Sequence, residues 1–114
     1  MAQFDVYLNP NSATRQAIPY LLDVQADLLD TLATRVVVPL VRAETMGLSA
    51  SKLNPKFTID DNVVVMSSAE LAGVTHRSLG EKVISLTAQR HEIIAALDLL
   101  FTGRFQAPSA KSAA

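Results

Sequence analysis

The sequence contains no cysteine, which removes disulfides, thiol nucleophiles and Cys-based metal sites together. It has no excess of positive charge either: ten basic residues stand against eleven acidic ones, for a net charge of −1. A domain that grips nucleic acid draws much of its affinity from phosphate contacts and normally carries a clear basic excess. No stretch approaches the run of about 18 apolar residues that a membrane-spanning helix needs. The N-terminus has no basic region followed by an apolar run. The expected location is therefore the cytoplasm, without membrane contact. Four scattered glycines form no phosphate cradle, and no serine stands in a nucleophile-elbow context.

What is present fits one compact domain. A chain of 114 residues that is 49% apolar can bury a core without staples, since folding at this size removes roughly two-thirds of the unfolded surface from water. Phe4, Val6 and Leu8 alternate with Gln3, Asp5 and Tyr7, the period of a strand with one buried face. Asn9-Pro10-Asn11-Ser12 breaks that strand, and Tyr20 to Gln25 can form a second. Arg35 to Val41 is β-branched almost throughout, as in a strand buried on both faces. Pro39 has no N–H for a ladder, so its N side should face an edge or a bulge. Ala43 to Leu48 reads as a short helical turn limited by Gly47. Phe57 to Ile59 and Val63 to Met66 read as a hairpin around the polar turn Asp60-Asp61-Asn62. Ser67 to Ala72 reads as a loop or helical turn, and Val74 to Leu79 as a strand candidate.

From about Leu86 to Thr102 the period becomes helical. Ile93, Leu97 and Leu100 recur on one face with Ile94 and Phe101 beside them. Ser85 or Thr87 can cap the start, and Gly103 sits where a C-terminal cap glycine belongs. Residues 1–103 form the expected domain. The small, polar stretch 104–114 is expected to be a disordered tail.

The residues that could carry chemistry do not converge. His76 and His91 lack the spacing of metal ligands and read as surface or interface imidazoles. Asp23, Asp27 and Asp30 could in principle bind metal or exchange protons, but in a strand-to-loop segment they read as solvated or hydrogen-bonding turn residues. No nucleophile, base and oxyanion donor assemble, so no catalytic, cofactor or metal site is expected, and a binding protein is favoured over an enzyme. Two places could serve binding. His91, Ala95, Asp98 and Thr102 form a small or polar helical stripe facing away from the core, either a solvated face or a docking surface. Leu28 and Leu29 stand between Asp27 and Asp30, and an apolar pair there is either an interaction site or a plug under a loop.

The order and spacing of several segments resemble the CcdB toxin family. They are Gln3-Phe4-Asp5-Val6-Tyr7, Leu22 to Asp30, Arg35 to Leu40, Leu79-Gly80-Glu81-Lys82-Val83, and Ile93 to Gly103. The resemblance implies a mainly β fold, an SH3-like antiparallel barrel of the CcdB/Kid toxin type with an added sheet and one C-terminal α-helix. It implies a homodimer with the two helices near the symmetry axis. It further implies a type II toxin that binds the A subunit of DNA gyrase, traps the cleaved-DNA complex and does no chemistry itself. A CcdA-like antitoxin would neutralise it, and the two together would repress their own operon, so that DNA is met only through the antitoxin complex. Carried across, the gyrase contact falls on Leu28, Leu29, Asp98, Phe101, Thr102 and Gly103, with His91 and Ala95 on the same helical face.

This chain departs from the best-known plasmid member of the family in having Thr102 for a tryptophan and Asp98 for an asparagine. It also continues for eleven residues from Arg104. Two other readings remain: an mRNA endoribonuclease of the related MazF/Kid type, and an inactive homologue that only binds antitoxin.

Overall fold

A computed structural model gives the fold and describes residues 2–47 and 49–104. The strands are β1 (Asp5–Leu8), β2 (Tyr20–Asp23), β3 (Thr34–Arg42), β4 (Lys56–Ile59), β5 (Asn62–Met66), β6 (Ala72–Thr75) and β7 (Lys82–Ser85). A one-turn helix α1 (Ala43–Met46) follows β3, and the chain's long helix α2 (Arg90–Thr102) comes last. The sheet is antiparallel, in the order β4-β5-β3-β2-β1-β7, with β6 also on β3. It curls into a half-barrel closed over by α2, in agreement with the expected mainly β fold with a C-terminal helix.

Strand β3 organises this curl. Its first half, Thr34 to Val37, pairs with β6, and its last residues, Leu40 to Arg42, pair with β5. Pro39 falls in the gap between those two partners. Its carbonyl accepts the Ser67 N–H on that side, so its N side faces the gap. In a strand the N–H and C=O of one residue point the same way. The proline thus sits in mid-sheet without costing a ladder bond, as its expected placement at an edge or bulge requires. On the concave side Val6, Leu22, Val38, Leu40, Val64 and Met66 are buried, and Ile93 and Ala96 of α2 complete the core.

Several local expectations change. In β1, Asp5 and Tyr7 are buried rather than exposed, and Asp5 is met there by the Ala2 N–H, the Tyr7 hydroxyl and the Lys82 ammonium. Leu8, expected inward, is exposed at the strand end, where its carbonyl accepts the Gly80 N–H at 2.8 Å. The hairpin turn has two residues, not three: Ile59 pairs with Asn62, and Asp60 and Asp61 both take positive φ, 49° and 68°. That is the sign pattern of the tight turn matching the strands' twist. The strand expected over Val74 to Leu79 ends at Thr75, and His76–Ser78 is a 3-10 turn. Strand β7 was not anticipated. Residues 43–46 form the expected helical turn, ended by Gly47 at φ 71°, while Leu48 lies outside the described residues.

The long helix starts later than its apolar pattern suggests. The Leu86 N–H goes to the Phe4 carbonyl at 2.8 Å, which ties that residue to the sheet. A 3-10 turn, Thr87–Gln89, then leads into α2. Ser85 accepts the Thr87 N–H at its hydroxyl, 3.2 Å away. The C-terminal stop is as expected: Gly103 is left-handed at φ 72° and donates to the Leu99 carbonyl. Of the tail expected from 104 onward, only Arg104 falls among the described residues.

Candidate functional site

The first candidate place is the 3-10 turn Asp27–Leu29. Leu28 is 91% exposed and Leu29 46% exposed. Neither leucine is a plug under a loop: both stand in solvent. Polar bonds fix the turn. The Gln3 N–H donates to Asp27 Oδ1 at 2.7 Å. Gln25, itself buried, donates from Nε2 to the Leu29 carbonyl at 2.9 Å and accepts the Val36 N–H at Oε1.

Beneath the turn lies Arg35, fully buried. Its Nε and Nη2 donate to Asp23 Oδ2 at 3.0 and 2.6 Å, and its Nη1 donates to Asp30 Oδ1 at 2.7 Å. Of the two roles expected for Asp23, solvated or hydrogen-bonding turn residue, the structure gives the second, since Asp23 accepts the Gln25 N–H at 2.9 Å, and adds an ion pair. Asp23 is fully buried and ion-paired, because β2 and β3 place it opposite Val37, within reach of Arg35. Burial pushes its carboxyl up, while the hydrogen bonds of Arg35 and the Gln25 N–H pull it back. Asp27 and Asp30 are hydrogen-bonding turn residues, as expected. Sequence reasoning missed Arg35 as the hub. The signal was there in principle: one arginine heading a strand buried on both faces, twelve residues after an aspartate at the end of a buried strand.

The second place is the end of α2. This helix rests on the turn Ser68–Glu70 and on its own lead-in, so only Ile93 and Ala96 are fully buried. Phe101 is 70% exposed, and Ile94, two turns earlier on the same flank, is also exposed. The periodicity had set both beside the core positions; the short packing contact leaves them outside. Within the small or polar stripe His91 and Thr102 are exposed, and Ala95 and Asp98 are half-buried. The Thr102 hydroxyl is engaged locally: it donates to the Asp98 carbonyl at 2.6 Å and accepts the Arg104 N–H at 3.2 Å. Gly103 has open space around its α-carbon. Asp98 lies near the negative end of the helix dipole, which favours a positively charged neighbour.

A third polar group sits on the second face of β1. Tyr7 donates its hydroxyl to Asp5 Oδ2 at 3.3 Å, and Lys82 of β7 lies 3.4 Å from Asp5 Oδ1. Burial, with the nearby Asp5 and Asp23 charges, pushes the Tyr7 phenol up to about 12. Among the described residues, no group of three His, Asp or Glu side chains could hold a metal ion. No helix among them is long and apolar enough to cross a membrane.

The two candidate places are thus both exposed and apolar, on different supports. One is a polar-locked turn carrying Leu28 and Leu29, the other a helix end carrying Phe101. A family model described as CcdB protein matches residues 3–103, nearly all of the described chain.

Proposed function

The chain belongs to the CcdB family of toxin–antitoxin toxins, and from that premise we propose that it poisons DNA gyrase by binding the A subunit and trapping the complex in which DNA is cleaved. The observation that carries this reading is the exposure of Leu28, at 91%, on a turn that buries none of its own residues. A large side chain displayed to solvent on an ordered turn is suited to fill a partner's pocket. Phe101 offers a second apolar knob, with Thr102, Gly103 and Asp98 around it and His91 and Ala95 on the adjoining face.

The protein acts in this reading by binding alone, without catalysis or cofactor, in the cytoplasm where gyrase works. A homodimer presents both places twice, which suits a two-fold symmetric target. A CcdA-like antitoxin covers the toxin and releases gyrase, and the toxin–antitoxin complex represses its own operon, contacting DNA through the antitoxin. Residues up to Gly103 form the working domain.

Gyrase supercoiling and cleavage assays with the purified protein test the reading. Accumulation of cleaved DNA is expected with the parent protein and not with Leu28→Asp. Robust cleavage of RNA by the protein alone would instead favour the endoribonuclease reading.

A further inference from the structure

The geometry points to Arg35 as a positioning residue for recognition: through Asp30 it holds the Leu28–Leu29 turn in one conformation, an inference that rests on the gyrase-binding reading of that turn.

Every residue from Ala26 to Ala33 is exposed, and Leu29 and Leu32 still show 46% and 49% of their surface, so apolar burial anchors this stretch only partly. Its own backbone bonds are short-range, from the Leu29 N–H to the Ala26 carbonyl, from Asp30 to Asp27 and from Leu32 to Leu29. Such isolated turns open readily in water, because fixing each residue costs backbone entropy that local bonds barely offset. The stretch nevertheless has fixed attachments to the body of the protein, at Asp27, Leu29 and Asp30. The bond at Asp30 is an ion pair, and charge-assisted bonds are the stronger kind.

The arrangement of charges shows what the Asp30 bond adds. Arg35 is buried and needs a counter-charge, and Asp23 supplies one through two hydrogen bonds to a single oxygen. The other oxygen of Asp23 accepts the Gln25 N–H. The demand of the buried cation is met inside the fold. Asp30 is a second carboxylate on the same guanidinium, reaching in from a side chain that is 55% exposed. Its bond is not required to neutralise the core, so its effect falls on the turn. The planar fork of arginine can address two carboxylates in separate directions, whereas the single ammonium of lysine has no such fixed geometry.

Ordering a turn before it meets a partner lowers the entropy lost on binding. Removing the Asp30 link should therefore loosen residues 28 to 32 in the free protein and weaken binding of the gyrase A subunit by roughly tenfold. The sheet should keep its order, since Asp23 still pairs with Arg35.

Backbone order parameters from NMR relaxation, measured with gyrase A affinity, test this on the parent and on Asp30→Asn, Asp30→Glu and Arg35→Lys. In Asp30→Asn, order parameters over residues 28 to 32 should fall from near the rigid value of about 0.85 toward about 0.6, while those of Leu22 and Val38 stay unchanged. Affinity should fall with them, and Asp30→Glu, which keeps a carboxylate, should restore most of both. Arg35→Lys should behave like Asp30→Asn; if it does not fold, the two Asp30 variants carry the test. Weaker binding with an undisturbed turn would overturn the proposal and make Asp30 a direct contact. A loosened turn with unchanged affinity, or no change in either, would also overturn it. If the parent itself does not bind gyrase A, the functional reading fails, and the failure is visible in the parent rather than in the variants.

Discussion

Arg35 Nη1 lies 2.7 Å from Asp30 Oδ1 although the arginine side chain is fully buried and the aspartate is 55% exposed. The pair joins the interior of the sheet to the most exposed leucine among the described residues, two residues away at Leu28.

The two carboxylates around Arg35 should differ sharply in their effect on stability. Asp23→Ala leaves a buried guanidinium with one half-exposed partner, and breaking a buried pair costs about 3–5 kcal/mol. Asp30→Asn removes a bond screened by water and should cost under about 1 kcal/mol. Urea unfolding of both variants checks the order. Equal losses would contradict the assignment of Asp23 as the core's own counter-charge.

Tyr7 gives the protein an alkaline weakness. The phenol's pKa is raised in the folded state from 10.0 to about 12. Between those values the folded chain keeps a proton that the unfolded chain has released, so stability falls as pH rises from about 10 through about 12. Below pH 10 the contribution is fully present. The loss should approach about 1.4 kcal/mol for each pH unit within that window. Urea midpoints of the parent and Tyr7→Phe should diverge above pH 10 in that sense, and parallel pH curves would contradict the shift.

Gly80 is fixed by close approach. A Cβ there would stand 2.8 Å from the Leu8 carbonyl oxygen, a backbone atom that cannot swing aside. Gly80→Ala should cost about 1–3 kcal/mol by overpacking. At Gly103 nothing lies within 4 Å, and only the positive φ of 72° resists a side chain, for about 1 kcal/mol. Thermal unfolding of the two alanine variants should rank them in that order.

The two sides of α2 should separate stability from binding. Ile93 is fully buried, so Ile93→Ala should cost about 2–5 kcal/mol. Phe101→Ala should leave the unfolding midpoint within about 0.5 kcal/mol of the parent while weakening gyrase A binding. A large stability loss in Phe101→Ala would mean that its ring belongs to a packed surface.

Much of this was legible in the sequence where one physical rule dominates. The β-branched run of β3, the hairpin at Asp60-Asp61 and the glycine stop at Gly103 each follow from backbone preference. The exposed pair Leu28-Leu29 could be singled out but not resolved, because exposure depends on what packs above the turn. Arg35 was hidden for a different reason. A charge at a strand end usually faces water, and only the pairing of β2 with β3 brings Asp23 to it. Strand β7 was missed because Lys82 and Ser85 weaken its apolar alternation, and its order comes from pairing with β1. The positive φ of Phe4, 74°, has no sequence signal at all; its buried ring and its bonds to Asp23 and Leu86 hold it there.

The most direct test of the functional account is calorimetric titration of the purified full chain into the gyrase A subunit, beside Leu28→Asp. The account predicts saturable binding by the parent and none by Leu28→Asp at the same concentrations, with unchanged circular dichroism. Absence of binding by the parent, or equal binding by the variant, would contradict it.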